Sequence, residues 1–135
     1  MPEWTLILPL GLAAGILFTK WNARHRLKRA GVREIGARET MALIKEKKAL
    51  VVDVREASEF KAGRIPKAKH IPLRQVGKRI KELEKHKGRP IIVNCRSGRR
   101  SASASMLLSK NGFDNVYNLK GGIIAWNRAN LKLEK

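Results

Sequence analysis

The chain opens on an apolar run and then changes character twice. Trp4 to Thr19 (WTLILPLGLAAGILFT) carries no charge. Lys20 to Arg33 then holds Lys20, Arg24, Arg26, Lys28, Arg29 and Arg33 with no acid. From Glu34 onward, short apolar runs alternate with stretches in which apolar residues recur every three or four positions. The spacing predicts a helix over Ala37–Lys47 with Met41 and Ile44 on one face. Ala49–Val54 (ALVVDV) predicts a strand buried on both sides. Ser58 is placed to cap a short helix that runs through Ala62 and stops at Gly63. Lys69–Ile71 reads as a short strand closed by Pro72. Leu73, Val76, Ile80 and Leu83 form one stripe of a helix with a charged outer face. Ile91–Asn94 is a buried strand, followed by a helix rich in Ala and Ser that Asn111-Gly112 stops. Val116–Leu119 is a further strand, and Gly121-Gly122 leads into a last helix containing Trp126. Strands alternating with helical patterns predict an α/β fold: a parallel sheet flanked by helices on both faces, preceded by an N-terminal apolar helix.

These shifts divide the chain into an N-terminal membrane anchor (1–20), a basic juxtamembrane linker (21–33), one α/β domain (34–131) and a short tail (132–135). As a helix, the apolar run would reach about 24 Å against a hydrocarbon core of about 30 Å. Trp4 and Trp21 bracket it as interfacial residues do, and Lys20 can snorkel. A secretory signal places positive charge before its apolar run; here the basic cluster follows it. The expectation is an uncleaved single-pass anchor in the inner (cytoplasmic) membrane, with the folded domain in the cytoplasm. Gly11 and Gly15 form a GxxxG pair, a pattern that can join two such helices in a homodimer, although glycine is common in membrane helices and Pro9 is placed to bend this one.

The net charge of +19 would suit nucleic acid or anionic lipid. Few aromatics lie in the folded part and they do not interleave with the basic residues, so a base-stacking platform for nucleic acid is not supported. The juxtamembrane cluster accounts for part of the charge as lipid contact and topology signal.

Cys95 is the one cysteine in the chain. It stands on the predicted strand-to-helix turn and opens Cys95-Arg96-Ser97-Gly98-Arg99-Arg100. A helix N-terminus and neighbouring arginines are the surroundings that favour a thiolate, the nucleophilic form. Gly98 can adopt positive φ, so successive N–H groups can converge on one point as an anion-binding nest. Ser97 and Ser101 add hydroxyl donors. In parallel sheets the ligand crevice lies at the carboxyl ends of the strands; Cys95, Asp53 and Arg55 all fall there. The plain alternative is a small buried cysteine ending a strand, which the glycine and arginines make less apt. A lone cysteine excludes an intrachain disulfide, and no residues have zinc-ligand spacing.

Four segments together resemble the rhodanese homology domain: Asp53-Val54-Arg55-Glu56 with Glu59-Phe60; Gly63-Arg64-Ile65-Pro66 through His70-Ile71-Pro72; Cys95 through Ser101; and Leu119-Lys120-Gly121-Gly122 with Trp126. They span nearly all of Ile35 to Asn130. Small-domain members with one N-terminal membrane helix look nearest. The resemblance implies a sulfurtransferase in which Cys95 takes the outer sulfur of a donor, becomes a persulfide, and passes that sulfur to cyanide or a thiol. It makes Cys95 the sulfur carrier, with Arg96, Ser97, Gly98, Arg99 and Arg100 as the substrate-binding cradle. Basic loops in the family go with thiosulfate, so the arginines imply a small anionic donor. No cofactor is implied beyond the transient persulfide, which without a second cysteine must discharge to an outside acceptor. Where the family often has Gly-His-Ile-Pro-Gly-Ala, this chain has Gly63-Arg64-Ile65-Pro66-Lys67-Ala68, a change in scaffold. Asp53 and Arg55 read as structural charges near the site. His70 reads as a packed strand residue, and His25 and His86 as surface positions.

Three other functions compete. A cysteine-dependent phosphatase has five residues between Cys and Arg, which would put arginine at 101, where the chain has Ser101. A non-catalytic, membrane-held binding module would be favoured by loss of the cysteine, which is present. A thiol–disulfide oxidoreductase would need a resolving cysteine.

Overall fold

A computed structural model describes residues 4–135, with side chains from residue 14 onward. The elements are helix α1 (Trp4–Arg29), β1 (Arg33–Ile35), α2 (Ala37–Lys47), β2 (Leu50–Asp53), α3 (Ala57–Ala62), β3 (Lys69–His70), α4 (Val76–Arg79), β4 (Ile91–Asn94), α5 (Arg99–Lys110), β5 (Val116–Leu119) and α6 (Gly122–Arg128). The five strands make one sheet in the order β1-β5-β4-β2-β3, and every pairing is parallel.

Strand periodicity explains the two cores. Val52, Val54, Ile91, Val93, Cys95 and Val116 face one side and pack with Val76, Leu83, Ala104 and Leu108. Val51, Ile92, Tyr117 and Leu119 face the other and pack with Ile123 and Trp126. Successive strand residues point to opposite faces, so Cys95 continues the phase of Ile91 and Val93 toward the α5 side. All four residues of β4 and of β5 are buried. That burial on both faces is why their sequences are apolar runs and not alternating ones.

Several elements differ from the expectations. β1 was not expected; it pairs Arg33–Ile35 with Tyr117–Leu119. The stretch 21–33, read as a linker, is helical to Arg29 and then enters the sheet, and its Leu27 and Val32 are buried in the core. Ser109 Oγ also donates to the Ala30 carbonyl. The helix expected around Leu73–Leu83 is broken into 3-10 turns at Leu73–Gln75 and Ile80–His86 on either side of α4. Its apolar stripe is nonetheless used: Val76 and Leu83 are buried, and Leu73 and Ile80 pack against the same core. The cap of α3 is Glu56, not Ser58, with Glu59 accepting the Glu56 N–H at 3.0 Å. The tail is held in place: Arg64 and Glu134 exchange backbone hydrogen bonds at 2.9 Å, and Trp126 Nε1 donates to the Lys132 carbonyl at 2.9 Å. His86 is half-buried beside Arg89, not a free surface residue.

No helix among the described residues is long and apolar enough to cross a membrane. The anchor expected over residues 1–20 falls largely on residues 1–13, whose side chains lie outside the described set, as do Trp4, Pro9 and Gly11. A Cβ on Gly15 would meet nothing within 4 Å.

Candidate active site

The polypeptide leaves β4 at Asn94, turns through Cys95–Gly98 and enters α5 at Arg99. Gly98 caps the helix at φ 100° and ψ −6°, a left-handed conformation that glycine adopts without penalty. Its N–H donates to Cys95 Sγ at 3.1 Å, and Ser101 Oγ–H donates to the same sulfur at 3.3 Å. Ser101 is itself buried, and its carbonyl accepts the Ser105 hydroxyl at 2.7 Å. Cys95 is only 1% exposed, so the sulfur lies at the base of the turn with donors aimed at it. Such donors stabilise a sulfur anion.

The outer side of the turn is fastened to the start of α6. Ile123 N–H donates to the Cys95 carbonyl at 2.9 Å, and Ile124 N–H donates to the Arg96 carbonyl at 3.3 Å. The Cys95 and Arg96 carbonyls therefore face α6, while the Gly98 N–H faces the sulfur. Gly122 makes this approach possible.

The arginines separate into two kinds. Arg96 and Arg99 are exposed, and neither makes an ion pair among the described residues. Arg100 is bidentate to Glu59, with Nη1–Oε1 at 2.7 Å and Nη2–Oε2 at 2.8 Å. The hydrogen bonds from Arg100 hold Glu59 down to about 2, against a smaller upward push from burial. Glu59 in turn raises Arg100, so both stay charged. Arg100 thus belongs to the wall of the site as much as to its mouth.

Asp53 and Arg55 end β2 beside the loop strand, with Asp53 in register with Asn94. Asp53 is fully buried and Arg55 nearly so. Arg55 Nε lies 3.0 Å from both Asp53 oxygens, and its Nη2 donates to Asp53 Oδ2 and the Gly63 carbonyl, each at 2.8 Å. This pair joins β2 to the turn before β3. His70 Nε2 lies 2.7 Å from the Arg55 carbonyl, and its ring stacks on Phe60 at 4.4 Å.

Three residues near the loop had no role assigned from sequence: Gly122, Glu59 and Asn118. The Gly121-Gly122 doublet and the acid at position 59 were visible signals. Asn118, a polar residue inside an apolar strand, was another. A groove of about 710 Å³ lies elsewhere, between α1, β1 and α2. Its lining mixes Leu27, Val32, Ile35, Leu43 and Tyr117 with charged side chains of α1, β1 and α2, and includes no cysteine or serine. The thiol with its converging donors outweighs this hollow as the place for chemistry.

A strand-turn-helix cysteine loop on a five-stranded parallel sheet defines the class, and the comparisons agree. The family model for the rhodanese-like domain matches residues 36–129, and the chain belongs to that family. It is 42% identical over 80 residues to the uncharacterized protein YqhL of Bacillus subtilis, covering 59% of this chain and 62% of that relative. It therefore spans less than two thirds of the length of that relative. An Allochromatium vinosum protein named sulfurtransferase is 40% identical over 84 residues, covering 62% of this chain and 77% of its own. The crystal structure of a rhodanese-related protein from Thermoplasma volcanium superposes with a TM-score of 0.69 at 32% identity, covering 76% of this chain and 97% of that one.

Proposed function

We propose that this chain is a sulfurtransferase working through a persulfide on Cys95. The observation that carries the reading is one sulfur at the base of a turn, accepting hydrogen bonds from Gly98 N–H and Ser101 Oγ, in a segment whose Arg96 and Arg99 are exposed and make no ion pair among the described residues. The thiolate attacks the outer sulfur of an anionic donor such as thiosulfate. The new Cys–S–S⁻ bond forms as the donor S–S bond breaks, and sulfite leaves with its electron pair. A thiol or cyanide then attacks the outer sulfur and returns the Cys95 thiolate; with cyanide the product is thiocyanate. The anionic donor is drawn by Arg96 and Arg99, while the turn N–H groups receive the persulfide charge.

The test uses the full chain in detergent with thiosulfate and cyanide. Thiocyanate should form with wild type and be lost, by at least about a hundredfold, with Cys95→Ser, which removes the nucleophile. Equal rates in the two proteins would sink the reading.

We further propose that residues 1–20 hold the domain at the cytoplasmic membrane. Ile16, Leu17, Phe18 and Trp21 are 56–67% exposed on α1, a costly surface in water but an ordinary one against lipid. Retention of the intact chain in carbonate-washed membranes is the expected result; full release would count against an anchor.

A further inference from the structure

We propose that Asn118 is a positioning residue for the Cys95 loop, held in its working orientation by Glu34. Asn118 sits inside β5 between Tyr117 and Leu119 and is 1% exposed. A buried amide is tolerated only for the hydrogen bonds it makes. Its Nδ2 donates to the Gly98 carbonyl at 3.1 Å and to Glu34 Oε2 at 3.3 Å. Both acceptors are oxygens, so the opposite flip of the amide would set Oδ1 against two oxygens. The orientation is thereby fixed, and Oδ1 is left without a partner among the described residues.

Gly98 is the residue whose N–H reaches Cys95 Sγ at 3.1 Å. Its carbonyl also accepts the Ala102 N–H at 3.1 Å, the first bond of α5. Glycine has a wide conformational range, and something must hold Gly98 at the φ of 100° that aims its N–H at the sulfur. Glu34 in β1, Asn118 in β5 and Gly98 in the loop form a relay that ends on the nucleophile. Asn118 touches neither sulfur nor donor; it acts by holding Gly98.

The inference rests on Cys95 being the nucleophile, and its test is chosen to read separately from thiocyanate formation. The full chain in detergent is alkylated at one pH with neutral iodoacetamide and anionic iodoacetate, alongside measurement of kcat and of KM for thiosulfate. Asn118→Ala should slow both reagents alike, by about tenfold, as Gly98 loses the support that keeps its N–H on the sulfur anion. It should lower kcat similarly and leave KM unchanged, at a temperature where the variant is fully folded. Glu34→Ala should act in the same direction by about threefold, and Glu34→Gln, which keeps an acceptor, should lie between it and wild type. Should Asn118→Ala not fold, the Glu34 pair carries the test alone. Wild-type alkylation in both Asn118→Ala and Glu34→Ala would overturn the proposal. So would slowing confined to iodoacetate with a raised KM, which would make Asn118 part of donor binding. If wild type forms no thiocyanate while Asn118→Ala still slows both alkylations, sulfur transfer falls and the positioning role stands.

Discussion

Gly122 packs against the Cys95–Arg96 peptide so closely that a Cβ on it would lie 2.4 Å from the Cys95 carbonyl oxygen and 2.5 Å from that of Arg96. No side chain fits, and the obstacle is backbone, which cannot rotate away. Gly122 also has φ 56°. Gly122→Ala should therefore destabilise the chain by about 2–4 kcal/mol, combining positive-φ cost and overpacking. It should also push the cysteine turn out of place. Gly121→Ala meets the Ala125 side chain at 2.8 Å instead, so it should lose stability but keep more activity. Urea midpoints together with kcat per folded molecule check both. Equal specific activity in the two folded variants would contradict the role given to Gly122.

The sheet and the loop were legible because their signals are local. ALVVDV and IIVN carry strand burial in their composition, and Cys95 through Arg100 lies between a strand and a helix in sequence. Three things were not legible. β1 is three residues, Arg33–Ile35, with a mixed burial pattern; only its pairing to β5 makes it a strand. Leu27 and Val32 sit among basic residues that read as a linker, and it is tertiary contact that buries them. The partners of Arg100 and Asn118 lie 41 and 84 residues away, and the contacts that make these residues part of the site form only on folding.

The Asp53–Arg55 pair gives a stability prediction. Arg55 has its Nε and Nη2 committed to Asp53 and Gly63 in a buried setting. Asp53→Ala leaves a buried guanidinium without its counter-charge, which costs about 3–5 kcal/mol. Replacing both residues by apolar ones of similar size should cost much less than the two single changes added. Urea unfolding of the two single variants and the double variant measures the coupling; additive losses would show the charges act independently.

The arginines should separate in kinetics. Arg96 and Arg99 are exposed and make no ion pair among the described residues, which suits the donor-attracting role proposed for them. Arg96→Ala with Arg99→Ala should raise KM for thiosulfate by about tenfold and change kcat little, since contacts of this kind are worth about 1 kcal/mol or slightly more. The wild-type KM should also rise with added salt, because exposed charges are screened beyond about 8 Å at physiological ionic strength. The double variant should lose most of that salt dependence. Identical salt profiles would remove the role of these two side chains.

Glu59 supplies the pH prediction. Its folded value is lowered from 4.5 to about 2, chiefly by hydrogen bonds from Arg100. A carboxylate depressed on folding contributes stability that is present above its unfolded value and lost as pH falls through the folded one. The window for Glu59 is therefore roughly pH 4.5 down to 2. Both side chains are about one-third exposed, at 30% and 33%, so solvent screening limits the contribution to about 1 kcal/mol. Glu59→Gln should be less stable than wild type by about that amount at neutral pH, and the two stabilities should converge as pH approaches 2. Glu82, likewise lowered to about 2 by Arg79 and Lys69, remains in both proteins and gives them a shared acid sensitivity. Chemical denaturation at steps between pH 2 and 7 reads the difference. A constant gap across that range would mean that the charge of Glu59 on Arg100 contributes nothing to stability.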